Sequence, residues 1–374
     1  MRMIALMATL LLFLPLSAQH QHVHGHTHER PIHFPDTDRY RTIVSDFHMH
    51  SVFSDGSVWP DIRVQEALKD SVDAIALTEH LEYQPHREDL PHPDRNRAHN
   101  LAERYARPYD LMVIRGAEIT RNMPPGHANA IFIQDANKLR VEDAMGAFEE
   151  ANLQGGFTFW NHPNWYAQVK DGVARLTDFH RELIDRKLLH GIEVVNDLTI
   201  SEEALRIALD HDLTIMGTSD VHGLVDWQYE IAEGGHRPVT LVLASARSPE
   251  AIKEALFAGR TVAWFENTLV GKRENLLPLV KASLQVEGAA YIGPSAVIEI
   301  SIHNDSDAEY LLDNVSGYSL QSDLGLIRLH PNATTTFSVM TGEQIPEFEL
   351  RFRVLNAIIA PGTRLELTLP INVR

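Results

Sequence analysis

From about residue 42 to residue 265, short apolar runs alternate with amphipathic stretches along the chain. Apolar runs bounded by turn residues predict buried strands, and apolar residues spaced three or four apart predict helices. The predicted strands are TIVSDFHMH, DAIALTEH, LMVIRGAEIT, GGFTFWNHP, GIEVVND, LTIMGTSDVH and RPVTLVLA. The predicted helices are PDIRVQEALKD, NRAHNLAERYA, VEDAMGAFEEANL, FHRELIDRK, SEEALRIALD and SPEAIKEALF. This alternation predicts an α/β fold, either a parallel barrel or a doubly wound sheet.

The pattern changes near residue 275. Beyond it, the strand-like runs AVIEISIHN, TTTFSVM, EFELRFRVLN and RLELTLPINV are separated by turn residues, and no helix is predicted. About 100 residues of this kind indicate a small antiparallel β-sandwich. We therefore expect a barrel domain over residues 41–270, followed by an all-β sandwich over residues 275–374.

The amino terminus has the pattern of an export signal. A short charged start, an apolar run and small residues before a cleavage point predict a signal peptide over residues 1–18. The apolar run is shorter than the ~20 residues that span a bilayer, so a membrane anchor is the weaker alternative. No later segment is long and apolar enough to span a membrane, and we expect the protein to be secreted or periplasmic.

A histidine-rich segment follows the predicted cleavage point, and we expect a flexible tail over residues 19–40. Five histidines alternate with other residues in this tail: His20, His22, His24, His26 and His28. Clustered histidines can bind transition metals. The alternative, a solvated tail without a function, stays open.

Composition limits both the class of protein and its chemistry. With 44% hydrophobic and 22% charged residues, the 374-residue chain is typical of globular proteins. It contains no cysteine, so any metal site must use nitrogen and oxygen ligands. The formal net charge of -18 argues against a nucleic-acid partner, because phosphate repulsion would not be offset. The sequence does not indicate an oligomeric state.

Residue types that bind metals occur at the ends of most predicted strands. Residues i and i+2 of a strand share a face, so His48 and His50 point together, and active sites of α/β barrels form at the carboxyl ends of strands. The candidate ligands are His48, His50, Asp55, His80, Glu118, His127, His162, Asp220 and His222. A lone histidine is more often a hydrogen-bonded core residue. We interpret four histidines away from the strand ends in that way: His180, His190, His211 and His236.

Taken in order, these residues resemble the motifs of the PHP family, the polymerase and histidinol phosphatase superfamily. The matching segments are His48-Met-His50 with Asp55, Thr78-Glu-His80, Glu118, His127, His162-Pro163 and Asp220-Val-His222. The resemblance covers about residues 42–265. It departs from the family pattern at Glu79, where aspartate is usual, and this change concerns hydrogen bonding around the ligands.

The resemblance implies a distorted (β/α)7 TIM-like barrel that holds two or three divalent ions of zinc, manganese or iron. It assigns His48, His50, Glu118 and Asp220 to the first ion, Asp55, His80 and His222 to the second, and Glu118, His127 and His162 to the third. A hydroxide bridging two such ions would attack phosphorus in line. We expect Asp55, Asp220 and His222 to be the catalytic side chains, with His222 or water held by Asp55 as candidates for protonating the leaving group.

The chain also resembles secreted PHP-type phosphodiesterases, and we expect a small phosphate-ester substrate, most plausibly an organic phosphate diester. A phosphomonoesterase on the same site is the alternative. Two more distant alternatives are a metal-binding protein that functions through its histidine-rich tail and an amidohydrolase-like barrel.

Two residues near the predicted ligands are candidates for substrate binding. Arg121 could clamp a phosphate or could form a surface salt bridge. Trp165, together with Trp59, Trp160 and Tyr166, could form an apolar wall for an ester group or could simply pack at the rim.

Overall fold

The computed structural model of the protein describes residues 31–321 and 325–373. The predicted signal peptide and the five alternating histidines of the tail lie outside the described residues. Among the residues that the structure does describe, no helix is long and apolar enough to cross a membrane.

The first part of the chain contains the seven predicted strands and the six predicted helices in the predicted order, together with four further strands and one further short helix. Its strands are β1 (Arg41–Met49), β2 (Ala74–Leu77), β3 (Met112–Thr120), β4 (His127–Ile131), β5 (Phe157–Trp160), β6 (Gly191–Asn196), β7 (Thr199–Ile200), β8 (Thr214–Thr218), β9 (Val239–Ala244), β10 (Thr261–Phe265) and β11 (Thr268–Gly271). Its helices are α1 (Pro60–Lys69), α2 (Arg97–Ala106), α3 (Ala144–Leu153), α4 (Asp178–Asp185), α5 (Glu202–Asp210), α6 (Val225–Gln228) and α7 (Pro249–Phe257), with 3-10 turns at Ala136–Leu139 and Ile231–Glu233.

Serine caps define where two of these helices begin. Ser201 accepts a hydrogen bond from the backbone N–H of Ala204 at the start of α5. Ser248 caps α7 in the same way through Ala251. Pro249 occupies the first position of α7, where its missing N–H would have no helical partner. Such caps typically contribute about 1 kcal/mol each.

The barrel wall is mostly parallel, as predicted. β1, β2 and β3 pair in parallel, and so do β5, β6 and β8. β4 lies between β3 and β5 and is antiparallel to both. The prediction of a distorted α/β barrel is confirmed, with β4 as an antiparallel insertion in its wall.

The predicted strand RPVTLVLA forms β9, but its direction differs from that of a parallel barrel strand. β9 pairs antiparallel with β1, so that Arg41 lies opposite Ala244 and Ser45 lies opposite Thr240. A parallel partner would need a crossover connection, usually a full helix. Between β8 and β9 the chain forms only α6, which is four residues long, and a 3-10 turn. β9 therefore starts at the end of the barrel where β8 stops.

Side-chain hydrogen bonds hold β8 against the β9–β10 edge. Thr240 Oγ1 accepts from the N–H of Gly217 at 2.9 Å and donates to its carbonyl at 2.7 Å. Thr261 Oγ1 donates to the carbonyl of Ile215 at 2.6 Å. A Cβ on Gly217 would lie 2.7 Å from the Cβ of Ala263, so only glycine permits this approach. The barrel thus closes here through side chains.

A helix that the sequence pattern did not predict joins the two domains. Helix α8 (Arg273–Ser283) contains Pro278 in its interior, and an interior proline costs about 3 kcal/mol. Leu276 and Leu279 of this helix are fully buried, and burial of such side chains contributes roughly 1.5–3 kcal/mol each. Packing therefore outweighs the local signal, and the β domain begins at Leu284 rather than at residue 275.

The all-β domain is confirmed as two sheets. Its strands are β12 (Leu284–Tyr291), β13 (Val297–Asn304), β14 (Tyr310–Asn314), β15 (Ser319–Leu320), β16 (Leu326–Leu329), β17 (Ala333–Met340), β18 (Glu347–Ala360) and β19 (Thr363–Asn372). One sheet has the order β12-β13-β17-β15, and the other contains β16, β14, β18 and β19. β18 also pairs in parallel with β11, with Leu269 opposite Ala357, so the second sheet continues into the barrel edge.

Candidate metal centre

The barrel brings the nine predicted ligands together at one end, where the parallel strands finish and antiparallel β4 begins. β1 contains His48 and is followed by His50 and Asp55; β2 is followed by His80; β3 contains Glu118; antiparallel β4 begins with His127; β5 is followed by His162; and β8 is followed by Asp220 and His222. These side chains form overlapping groups in which the ligand atoms lie within 4.8 Å of one another.

The segments after β1 and β8 are bonded directly through their backbones. The N–H of Asp220 donates to the carbonyl of His48 at 2.8 Å, and the N–H of His50 donates to that of Val221 at 3.1 Å. Asp220 has a φ of 51° and His162 a φ of 28°, both in the left-handed region. Such strain costs about 1–3 kcal/mol per residue and persists where the surroundings enforce it. The backbone conformation that places these two side chains therefore lowers the stability of the fold.

Three ligand atoms form a nearly equilateral triangle. His48 Nε2 and His50 Nε2 lie 3.1 Å apart, and each lies 3.1 Å from Asp220 Oδ1. Glu118 completes this group, with its two carboxylate oxygens 3.6 Å from His48 Nε2 and 3.7 Å from His50 Nε2. The residues assigned to the first ion are therefore adjacent in the structure.

A second group is centred on Asp55, which follows β1 in a loop. Asp55 Oδ2 lies 3.2 Å from His80 Nε2, and Oδ1 lies 3.2 Å from His222 Nε2. His50 Nδ1 lies 3.6 Å from Asp55 Oδ1, so the second group adjoins the first. These are the three residues assigned to the second ion.

Glu118 lies between all the groups and is completely buried. Its Oε1 lies 3.0 Å from His127 Nδ1 and 3.6 Å from His162 Nε2, the residues assigned to the third ion. Its Oε2 lies 2.5 Å from His80 Nδ1. Asn161 donates a hydrogen bond to Oε1 at 2.8 Å and fixes the carboxylate.

The rings of four ligand histidines are oriented through their other nitrogen. The contacts of Nδ1 are His48 with Glu193 at 2.7 Å, His50 with Ser54 at 3.2 Å, His80 with Thr120 at 2.7 Å, and His222 with the carbonyl of Asp220 at 2.7 Å. A bond at Nδ1 leaves Nε2 directed at the centre and fixes the tautomer of the ring. His48, His50 and His222 are therefore arranged to present Nε2, whereas His80 directs Nε2 at Asp55 and also has Nδ1 2.5 Å from Glu118 Oε2.

Sequence reasoning missed Glu193, a buried glutamate in β6. Its carboxylate accepts from His48 and also from the backbone N–H of His162, the latter at 2.6 Å. The signal in the sequence is one charged residue in the middle of the apolar strand GIEVVN. A lone charge in a buried strand requires a partner, but the pattern does not say which.

A second missed group supports the residue before Asp220. Arg237 is fully buried and its guanidinium pairs with Asp46 at 3.3 Å and with Asp70 at 2.7 Å. Ser219 donates its hydroxyl to Asp46 at 2.6 Å, and the same oxygen accepts from the N–H of Val221 at 3.3 Å. Asp46 lies two residues before His48, so this network links the ligand-bearing ends of β1 and β8.

Glu79, the position that departs from the family pattern, is buried beside the centre. It accepts hydrogen bonds from the hydroxyls of Ser51 and Ser54 and from the N–H of Ser51. Its longer side chain thus holds the loop that carries Asp55, and its carboxylate is occupied by these donors.

The three carboxyl groups of the centre are ionised. Burial raises the pKa of each, but the neighbouring histidines outweigh burial and hold it below its ordinary range: His80 at Glu118, His48 at Asp220, and a hydrogen bond from His222 at Asp55. These three carboxylates bring negative charge that the neighbouring histidines partly balance.

The histidines divide into neutral and charged rings. Burial lowers the pKa of His50 to about 3, so its ring is neutral and has a free lone pair. Burial also opposes the charge of His48 and His80, but Asp220 raises the pKa of His48 to about 10 and Glu118 raises that of His80 to about 11. These two rings carry positive charge that a divalent ion would replace, with release of protons.

The fold of this chain recurs in a protein of known structure. A crystal structure of a two-domain protein from Bacteroides vulgatus ATCC 8482, described as containing a predicted PHP-like metal-dependent phosphoesterase, matches this chain with a TM-score of 0.86. The two sequences are 39% identical, and the match covers 93% of this chain and 100% of that one. The chain belongs to the PHP family. The PHP resemblance read from the motifs is therefore confirmed.

Other comparisons add detail to the second domain of this PHP protein. Residues 284–370 match the family DUF5001, an Ig-like domain. No curated protein matches the chain.

Two more distant structures cover about half of the chain. One is from Bifidobacterium adolescentis and is proposed to be a metal-dependent phosphoesterase, with 17% identity, a TM-score of 0.38, and coverage of 48% of this chain and 88% of that one. The other is an amidohydrolase from Chromobacterium violaceum, with 16% identity, a TM-score of 0.35, and coverage of 48% and 87%. Both likenesses are too weak to support a statement about this chain.

The donor set of the PHP barrel fits divalent ions. Glu118 Oε2 and His127 Nδ1 are buried and have no hydrogen-bond partner among the described residues. Glu118 Oε2 lies 2.5 Å from His80 Nδ1, and His127 Nδ1 lies 3.0 Å from Glu118 Oε1, but neither contact has hydrogen-bonding geometry. Donor atoms spaced like those of the triangle can all lie ~2.0–2.2 Å from one zinc ion. Imidazole and carboxylate donors also suit manganese and iron.

One side of the PHP centre is open to solvent. The side chain of His222 is 39% exposed and that of Asp55 is 21% exposed, whereas His48, His50 and Glu118 are completely covered. A substrate would approach from the side of His222 and Asp55.

The aromatic residues predicted near the PHP centre occupy different places. Trp165 is 40% exposed, and its ring lies 5.1 Å from that of His162 and 5.5 Å from that of His127. The idea that Trp160 lines the pocket is wrong, because Trp160 is buried and stacks on His180 at 3.9 Å.

Two other predicted wall residues lie at the surface. Trp59 is 48% exposed and packs edge-on against Phe53, and Tyr166 is 76% exposed.

His180 has the core role predicted for it, because its Nε2 donates to the carbonyl of Pro125 at 2.7 Å.

Arg121 forms the predicted salt bridge. Its guanidinium pairs with Glu82 at 3.0 Å and donates to the carbonyls of Val141 and Glu142. Its Nε is buried without a partner among the described residues. Binding of a phosphate by Arg121 stays a prediction.

Proposed function

We propose that the protein is a metal-dependent phosphoesterase, and specifically a phosphodiesterase that hydrolyses small organic phosphate diesters. The observation that carries the proposal is the convergence of nine ligand-type side chains, with Glu118 among them, at the open end of the barrel. The name of the Bacteroides vulgatus relative, a predicted phosphoesterase, supports the reaction class.

The family resemblance assigns these ligands to three ions. His48, His50, Glu118 and Asp220 would hold a first ion; Asp55, His80 and His222 a second; and Glu118, His127 and His162 a third. When bound, such ions supply Lewis acidity toward phosphoryl oxygens and lower the pKa of water. The side chains of the protein would hold the ions in place and transfer protons.

His222 and Asp55 have the placement required for proton management. They are the two most exposed of the nine candidate ligands. Nε2 of His222 lies 3.2 Å from Asp55 Oδ1. His222 Nδ1 is held by the carbonyl of Asp220, so the ring cannot turn away from the open side. A leaving alcohol on this side would receive its proton from His222 or from water held by Asp55.

The surroundings favour a diester over a monoester. A monoester carries up to two negative charges, whereas a diester carries one. Among the described residues, no lysine or arginine forms an ion pair with Asp55, Glu118 or Asp220. The only bond from such a side chain to a ligand histidine in this part of the chain is from Arg63 to the backbone carbonyl of His50. The half-exposed Trp165 adds apolar surface for an organic group instead.

Paired chromogenic substrates test the proposal. Elemental analysis of the purified protein would be followed by assays with bis(p-nitrophenyl) phosphate and p-nitrophenyl phosphate. We expect bound divalent metal and a higher kcat/KM for the diester. A monoester preference of about tenfold or more, a difference of ~1.4 kcal/mol in transition-state binding, would establish the monoesterase alternative instead.

Replacing Trp165 by alanine should raise KM for an aryl diester roughly tenfold, because about 1.5 kcal/mol of apolar contact is lost. The value of kcat should change little, since Trp165 touches the rings of His127 and His162 and none of the groups that manage protons. Tyr109, 48% exposed on the outer surface, provides the matched control Tyr109→Ala. An unchanged KM in Trp165→Ala would remove this residue from the substrate site.

The predicted signal peptide would place this reaction outside the cytoplasm, in the periplasm or beyond the cell. Cell fractionation with an antibody against the barrel tests this, and recovery in the cytoplasmic fraction would contradict it.

A further inference from the structure

We propose that Glu193 selects the tautomer of His48 and thereby sets the metal affinity of the centre. Glu193 acts as a positioning residue, because it reaches the centre only through His48 and the backbone of His162. The inference rests on the proposed metal-dependent function and adds to it the side chain that makes His48 a ligand.

The carboxylate of Glu193 makes four short contacts in a completely buried place. Oε1 accepts from the Thr218 hydroxyl at 2.6 Å and lies 2.7 Å from His48 Nδ1. Oε2 accepts from the backbone N–H of His162 at 2.6 Å and from the side-chain amide of Asn196 at 2.9 Å. One side chain on β6 thus connects ligand-bearing segments of β1, β5 and β8.

A carboxylate only accepts hydrogen bonds, so the nitrogen that faces it must carry a proton. Nδ1 of His48 faces Glu193, and this places the proton of the neutral ring on Nδ1 and the lone pair on Nε2. Nε2 is the atom that lies 3.1 Å from both His50 Nε2 and Asp220 Oδ1. Glu193 therefore leaves His48 with a lone pair at the one position where a metal ligand is needed.

Glutamine at position 193 would reverse this choice without changing the shape of the side chain. The backbone N–H of His162 can only donate, so the amide oxygen of glutamine must face it. The amide NH2 is then directed at Thr218 and His48. The Thr218 hydroxyl can accept, but Nδ1 of His48 can accept only if its proton moves to Nε2. The ring then presents N–H to the centre and cannot bind a metal there.

Thr218→Val is the matched control. Valine has nearly the same shape, and the change removes one hydrogen bond from the same oxygen of Glu193. It leaves the contact between Glu193 and His48 Nδ1 intact. A role of Glu193 in packing alone predicts similar metal affinities for Glu193→Gln and Thr218→Val, whereas tautomer selection predicts a loss only in Glu193→Gln.

The experiment measures zinc affinity of the full chain by competition with a chromogenic chelator, for the wild type and both variants. We expect Glu193→Gln to bind zinc 10- to 100-fold more weakly, the usual effect of losing a partner of a ligand histidine, and Thr218→Val to bind within about threefold of the wild type. Equal affinities in Glu193→Gln and the wild type, or equal losses in the two variants, would overturn the proposal.

A spectroscopic measurement on the wild type needs no variant to fold. In long-range 1H–15N spectra of the histidine-labelled, zinc-loaded protein, the His48 ring should be protonated at Nδ1 and bound to zinc at Nε2. Zinc at Nδ1 of His48 would refute the inference while leaving the phosphoesterase proposal intact. A wild-type protein that takes up no zinc, manganese or iron would overturn both, and one that binds metal but hydrolyses neither ester would overturn the proposed function alone.

Discussion

Replacing Glu118 by glutamine is expected to reduce kcat/KM for a phosphate diester by ~10^3-fold or more, a larger loss than for removal of a single stabilising donor. Glu118 lies near donors of all three groups, with contacts to His48, His80 and His127 of 2.5–3.6 Å. An amide offers one oxygen, and its NH2 would face ring nitrogens that must present lone pairs. The metal content of Glu118→Gln should fall together with its activity.

The same substitution should not unfold the barrel. Glu118 is a completely buried carboxylate that pairs with His80, and removing one partner of such a pair costs about 3–5 kcal/mol, which is less than the stability of a typical domain of about 5–15 kcal/mol. Thermal unfolding of the metal-free variant and wild type, together with elemental analysis, separates the two effects. Glu254→Gln on the surface of α7, which loses only an exposed pair with Arg260, is the matched control. Retention of both metal and turnover in Glu118→Gln would contradict the site described above.

Chelation of divalent ions should abolish turnover and lower the melting temperature of the wild type. Three ionised carboxylates then remain in the centre, compensated only by protonated histidines. An ion present at 100 times its Kd contributes ~2.7 kcal/mol to stability. At the usual 2–4 °C per kcal/mol, this is a fall on the order of 5–10 °C for each ion lost.

Calorimetry with and without a chelator, followed by addition of zinc or manganese, checks this expectation. The Glu118→Gln variant is the internal control, because its melting temperature should respond little to either treatment. Turnover that persists after elemental analysis shows complete removal of metal would exclude metal-dependent hydrolysis.

The convergence of the candidate ligands could be predicted from the sequence because most of them lie at or just beyond the end of an apolar strand. His50, His80 and Asp220 are polar residues at points where the strand pattern ends, and the barrel geometry then requires these points to meet. The capped starts of α5 and α7 were equally local signals. Such features depend on a few neighbouring residues, and the chain encodes them directly.

What could not be predicted depends on contacts between distant segments. Glu193 is visible as a charge in a strand, but its partners His48 and His162 lie far away in the sequence. Helix α8 forms in spite of Pro278 because its apolar residues are buried between the barrel edge and the β domain. The partners of Glu193 and the formation of helix α8 both depend on tertiary packing. The spacing of apolar residues along the sequence carries no information about such packing.

Two other differences had signals that were present in the sequence. Trp160 lies within the strand FTFW, so its side chain belongs to the wall, whereas Trp165 lies beyond the strand end where loops reach the centre. The segment between LTIMGTSDVH and RPVTLVLA has no helical pattern, and a parallel β9 would have required one.

The pairing of β18 with β11 imposes an order on how the molecule is made. Leu269 and Val270 at the barrel edge find their partners, Ala357 and Ile358, only when almost the whole chain has been synthesised. Until then the edge of β11 exposes unpaired backbone groups and apolar side chains, a state that invites association with other chains. The Ig-like domain therefore covers this edge of the barrel last. A protein truncated at the domain boundary would keep the β11 edge exposed and would tend to associate with other chains.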